Sequence, residues 1–202
     1  VPLFRYNGKV RNEIRKELGF EGELVIGNVG RMMPVKNHRF MLDILQRLIQ
    51  HGMHAKLLLV GDGPSRAGIE QAIVERDLVD HVVCVGSQPD IPKYLQAMDL
   101  FLFPSLYEGL GSAVVEAQSA GLPCIVSDVV PDEVAITDLV RFASLANSAD
   151  RWALILMEMV PTGERTRYND EVGSSGYDIV QASQFLMRYY KERGCPDGCM
   201  HT

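Results

Sequence analysis

The sequence predicts an α/β fold, a doubly wound parallel sheet, and three observations lead there. From residue 23 onward, short β-branched runs alternate with longer amphipathic ones. The short runs are near-continuously apolar instead of alternating, as strands are when helices cover both faces of their sheet. Strand–helix repetition of this kind means parallel pairing, and 202 residues are enough for one domain to bury a core without disulfides or metals.

Taken in order, residues 1–22 read as an incoming linker, including Phe4-Arg5-Tyr6-Asn7, and a charged helix over 9–19 with Gly19 as its C-cap. Residues 23–160 form the main domain. Its first strand is 23–29, followed by a helix over 38–51 carrying Phe40, Leu42, Ile44, Leu45 and Leu48. A second strand, 55–60, closes at Gly61-Asp62-Gly63-Pro64, and a helix covers 65–76. Then come strand 81–85, helix 91–98 and strand 100–103, which ends at Pro104. A helix over 112–120 leads into strand 123–127; after residue 144 the pattern turns helical, over 150–159. Residues 161–194 read as a mobile, glycine-containing connection through 176 and a closing helix with Ile179, Phe185, Leu186 and Tyr189 on one stripe. Residues 195–202 form a tail.

Composition narrows the chemistry. With 47% apolar residues, no apolar run near the length of a bilayer crossing, and a first segment lacking the core of a signal peptide, the chain reads as cytoplasmic. A net charge of −6 without basic clusters argues against nucleic acid as a partner. Cys84 and Cys124 sit inside apolar runs as small core side chains. Cys195 and Cys199, with His201 nearby, lack the compact spacing and fourth ligand of a zinc site and read as a frayed terminus. The chain has no P-loop, no third glycine after Gly61 and Gly63 to complete a dinucleotide fingerprint, no G-x-S-x-G and no D-x-D clamp.

Two loops remain, both following strands, where a parallel sheet places its ligands. After the first strand, Gly30-Arg31-Met32-Met33-Pro34-Val35-Lys36-Asn37 opens a helix. Arg31 offers a planar fork and Lys36 a mobile point charge, beside a helix N-terminus that favours anions. A diphosphate fits there, although two solvated loop cations would read the same way. After the fourth strand, Glu108-Gly109-Leu110-Gly111-Ser112 precedes Glu116, which lies inside the following helix. The glycines let a ligand approach the backbone, and the amides of Gly109, Leu110, Gly111 and Ser112 can meet polar oxygens. Glu116, flanked by Val114, Val115 and Ala117, is a costly carboxylate unless something pairs with it.

Gly30-Arg31 with Lys36-Asn37, Gly61-Asp62-Gly63-Pro64, Asp99, Pro104-Ser105, and Glu108-Gly109 with Glu116-Ala117 together resemble the family 4 (group 1) glycosyltransferases of the GT-B fold. The resemblance runs over about residues 20–145 and is to the C-terminal, donor-binding, Rossmann-like domain. Leu95-Gln96-Ala97-Met98-Asp99 and Glu116-Ala117-Gln118 resemble the branch that builds capsular and other bacterial surface polysaccharides. The resemblance implies retaining hexosyl transfer from a nucleotide sugar, UDP-linked by family habit with GDP as the alternative carrier, without a metal or resident cofactor. It implies that Arg31 and Lys36 hold the diphosphate and that Glu116 takes the ribose. Glu108 with Gly109, Leu110 and Gly111 would contact sugar and phosphate, and Ser87 would lie beside the base. It further implies a missing N-terminal domain that brings a saccharide or lipid-linked acceptor and peripheral contact with the inner face of the membrane, so this half would be inactive alone. Leu110 stands where Phe is frequent in the family, Gln118 where Met is frequent, and Val130-Pro131-Asp132 precedes Glu133 in place of Gly-Gly. Two other readings share the pocket: a non-catalytic nucleotide-sugar-binding module, and an epimerase, for which His38 is the acid–base candidate.

Overall fold

A computed structural model describes residues 2–159, 165–177 and 179–192. Helix α1 (Gly8–Glu17) is capped by Asn7, whose side chain accepts from the amides of Lys9 and Val10. Then follow β1 (Leu24–Val29), α2 (His38–Gln50), β2 (Ala55–Val60), α3 (Arg66–Glu75), β3 (Val82–Gly86), α4 (Ile91–Ala97) and β4 (Leu100–Phe103). Next are α5 (Ser112–Ser119), β5 (Cys124–Ser127), β6 (Val140–Ala143), α6 (Ala149–Glu158), α7 (Arg167–Val172) and α8 (Ile179–Glu192). All six strands run parallel, in the order β3-β2-β1-β4-β5-β6. This is the α/β, Rossmann-like architecture expected.

Alternate side chains of each strand feed two separate cores, because neighbouring residues of a strand point to opposite faces. Leu58, Val60, Phe101 and Phe103 pack on one face with α4 and α5. Leu57, Leu59, Leu100 and Leu102 pack on the other with α2, α3 and α6, where Trp152 meets Phe40 edge-on at 5.7 Å.

The order reverses between β1 and β4, the position where open parallel sheets bind ligands. There the backbone ladder joins only Ile26 to Leu100 and Gly27 to Phe101. At the next position the buried Asn28 side chain takes over, its Nδ2 donating to the Leu102 carbonyl at 2.8 Å. Past Asn28 the two strands feed separate loops, and a crevice opens between them.

Three sequence expectations are corrected. Strand β6 was not expected: Val140-Arg141-Phe142-Ala143 is short and alternating because it lies at the sheet edge, with Arg141 exposed and paired to Glu158 at 2.8 Å. The connection expected over 161–176 is not loose in its described part, since α7 buries Tyr168, Asn169 and Val172. The Asn169 amide donates to Ser119 Oγ of α5 at 2.8 Å, and the Arg165 guanidinium donates to the carbonyls of Ala120, Met98 and Leu95. Its burial lowers the pKa of Arg165 to about 10, with the Arg11 charge adding to the effect. Finally, α8 does not close on this sheet, since Phe185 and Leu186 are 65% and 50% exposed. Cys195, Cys199 and His201 lie outside the described residues.

Candidate active site

The crevice at the switch point has a volume of about 570 Å³ and is walled by the loops after β1 and β4. The first loop is fastened from beneath. Gly30 donates to Val60 at 3.0 Å, Met32 to Asp62 at 2.9 Å, and Ser65 back to Met32 at 3.0 Å, with the Met32 side chain buried. This approach explains the two glycines of Gly61-Asp62-Gly63. Gly61 has φ +139°, and a Cβ on it would strike the Gly30 carbonyl, while one on Gly63 would strike that of Met32. The pair is a backbone clamp between loops, holding the segment that carries Arg31.

The same loop is then tied across the crevice. Asn37 adopts the left-handed conformation, φ 58°, which Asn tolerates better than other side chains. From there its Nδ2 donates to the Pro104 carbonyl at 3.2 Å, and the Leu106 amide donates to Val35 at 2.8 Å. These bonds carry Lys36 over the β4 loop. Its Nζ lies 2.5 Å from Glu108 Oε1 and 4.8 Å from the centre of the Phe103 ring.

The opposite wall is the start of α5. Gly111, at φ +73°, is its N-cap. A Cβ there would meet Val130 and Val134 at the ordinary contact distances of 3.4 and 3.5 Å, so it is the left-handed φ that favours glycine. Among the described residues, the amides of residues 110–113 donate to no protein acceptor, so the positive end of the helix stays open toward the crevice. Glu116 lines the same space, half-buried, and no described protein group hydrogen-bonds or ion-pairs with its carboxylate. Burial holds its carboxyl above the ordinary carboxylate value.

The structure therefore brings Gly30, Lys36, Glu108, Leu110, Gly111, Ser112 and Glu116 to one crevice. It leaves three expected residues outside the lining. Arg31 is exposed on the adjoining loop and makes no ion pair among the described residues. Ser87 is exposed after β3, at the sheet edge beyond β2. Gly109 has neither a positive φ nor any neighbour for a Cβ among the described residues, so none of them requires glycine there. His38 lines a separate cavity, which removes the acid–base candidate of the epimerase reading from the crevice.

Sequence reading missed Gln118. It is fully buried in α5, and its Nε2 donates to the Val134 carbonyl at 2.7 Å. Its Oε1 accepts from the amides of Ile136 and Thr137, at 3.1 and 3.0 Å, and from the Thr137 hydroxyl at 3.0 Å. One side chain thereby fixes the 134–137 segment, whose Val134 packs on Gly111. The available signal was a polar side chain three and four residues after Val115 and Val114, on the apolar face of the helix.

With this geometry in place, the chain matches the model of the family described as glycosyl transferases group 1 over residues 10–167. The chain belongs to that family. It is 35% identical over 194 residues to the EpsF protein of Bacillus subtilis, covering 94% of this chain and 50% of that one. It is 40% identical over 192 residues to the 2-deoxystreptamine glucosyltransferase of Streptomyces kanamyceticus, covering 88% and 48%. Among solved structures, Anabaena Alr3699/HepE in complex with UDP and glucose superposes with a TM-score of 0.79 at 20% identity, over 94% of this chain and 54% of that one. The chain spans about half the length of the curated relatives it matches. Among the described residues, no helix is long and apolar enough to cross a membrane.

Proposed function

We propose that this chain is the donor-binding half of a retaining hexosyltransferase that acts in bacterial surface-polysaccharide synthesis, with a UDP-linked sugar as donor. The observation that carries the reading is Glu116: a half-buried carboxylate without a described protein partner, facing open helix amides and a lysine in one crevice. An acid without a described protein partner in such a place suits a ligand hydroxyl, and a ribose supplies two. The sugar and diphosphate then lie toward Glu108, Lys36 and the start of α5.

Transfer breaks the bond between the anomeric carbon and the diphosphate oxygen, while an acceptor hydroxyl oxygen bonds to the same face of the sugar and its proton passes to the departing diphosphate. Negative charge grows on the departing diphosphate. Lys36 and the amides of residues 110–113 meet that charge from fixed positions, so little reorganisation is needed as it develops, and Arg31 reaches toward it from the adjoining loop. In this reading protein cations and dipoles do what a metal does elsewhere, and chelator leaves turnover unchanged. Lys36 is held by Glu108 before the donor arrives, and the diphosphate replaces that carboxylate as its partner. A second lobe, absent from this chain, supplies the acceptor and its contact with the membrane surface.

Calorimetric titration with UDP, GDP and ADP tests the proposal. UDP should bind most tightly, and Glu116→Gln should weaken all three through the ribose they share. Equal affinity for inorganic diphosphate, or an unchanged Glu116→Gln variant, would refute the assignment.

A further inference from the structure

A second cavity, of about 330 Å³, lies between the N-termini of α2 and α3 and shares no lining residue with the crevice. Its polar wall is made by Asn37, His38, Arg39 and Ser65, and no acidic side chain lines it. Neither helix is capped by a side chain. Among the described residues the first amides, those of His38 and Arg39 in α2 and of Ala67 and Gly68 in α3, donate to no protein acceptor. Two helix dipoles thus end on one space with their donors free.

His38 makes the space more than a pair of helix ends. The residue is only 4% exposed, and its Nδ1 is sealed from solvent with no partner. A buried N–H left unmade costs more than a buried lone pair, so the neutral ring carries its proton on Nε2. That N–H also meets no described protein acceptor. Burial and the nearby Lys36 charge hold the ring neutral, with a pKa of about 4. Arg39 adds an exposed guanidinium whose Nη2 lies 3.5 Å from the Gly68 carbonyl. The ring N–H, the guanidinium and the four helix amides all donate, and such a set of donors calls for an acceptor with several oxygens.

We infer that this cavity binds a phosphate-type oxyanion, separately from the donor crevice, with the His38 ring, the Arg39 guanidinium and the amides of α2 and α3 as its donors. The volume exceeds that of phosphate alone, so the group carrying the anion lies against Met33, Pro34 and Ile69. A soluble phosphomonoester and a phospholipid headgroup both present this chemistry.

The test follows the ring ¹⁵N resonances of His38 in the whole chain during titration with inorganic phosphate at constant ionic strength. A saturable shift is expected, and it should persist in the presence of saturating UDP. Arg39→Gln removes one charge-assisted bond and should weaken phosphate about tenfold. Gly68→Asp places a carboxylate in the first turn of α3, where it favours the helix but repels the anion. It should abolish the shift without lowering the unfolding midpoint. Glycerol phosphate and vesicles containing phosphatidic acid then separate the two sources: displacement of phosphate by the first but not the second assigns a soluble ligand, and the reverse a headgroup. Absence of saturation, a shift indifferent to Gly68→Asp, or loss of the shift on adding UDP would overturn the site. If UDP itself does not bind, the donor reading fails while the phosphate result stands.

Discussion

At the amino-terminal edge of the sheet, Asp99 accepts from Arg11 at 2.5 Å, from Arg15 at 3.0 Å and from the Val25 amide at 2.8 Å. The same two arginines donate to the carbonyls of Gln96, Ala97, Met98 and Glu23, so this charged cluster is closed on itself. At the carboxyl-terminal edge, by contrast, Glu116 and the first amides of α5 are left without described protein partners. Both regions are charged and partly buried; they differ in whether the protein finishes its own hydrogen bonds. A completed network positions elements, and an incomplete one waits for a ligand.

The sharpest way to separate the two edges is to break the closed one. Asp99→Ala leaves two guanidiniums and a strand amide without their acceptor, and should cost about 3–5 kcal/mol of stability. Urea unfolding measures this loss, and UDP affinity per folded molecule should not change. Lys36→Ala acts on the other edge. In the complete transferase, turnover should fall about 10²–10³-fold, the usual effect of losing a preorganised charge donor, with a smaller loss of stability. Wild-type rates at both saturating and limiting donor would remove Lys36 from the mechanism.

Gln118→Met tests a link between scaffold and crevice. The variant leaves the Thr137 amide without its acceptor and the Val134 carbonyl without its donor, and should cost about 1–3 kcal/mol, read by thermal unfolding. Donor affinity should also weaken, because Val134 no longer holds against Gly111.

The smallest effect is in pH dependence. The Glu116 carboxyl titrates above its ordinary 4.5, so its burial costs stability once pH rises through the raised value. Glu116→Gln should therefore be the more stable protein at neutral pH, and the gain should vanish below the ordinary value. Donor affinity in the wild type should fall as pH drops through the raised value, since only the ionised carboxylate accepts two hydroxyls. A pH-independent affinity would contradict this role.

Much of this contrast was legible in the sequence. Glu116 among Val114, Val115 and Ala117 already called for a partner, and the partner proved not to be a described protein group. Lys36 and Glu108 were placed after strands, which is why they share an edge. What escaped was whatever depends on elements far apart in the chain. Gln118 looked like a mild departure from the family pattern, yet it binds a loop 16 to 19 residues away. Gly61 and Gly63 invited comparison with a dinucleotide fingerprint, and only the apposition of Gly30 and Met32 shows that they serve backbone packing. Strand β6 escaped because an edge strand of four residues is half-exposed, and its pattern is too short to carry a period.

Local pattern by itself determined the strand–helix alternation, the parallel sheet and the two loops that carry charge, because periodicity and glycine placement act within a few residues. Tertiary structure decided which charges meet. Only the strand order sets β1 beside β4, and only there does the ladder end early enough to open a crevice. Whether a polar group is finished or left open is a property of what lies across that gap, and no single segment contains both sides.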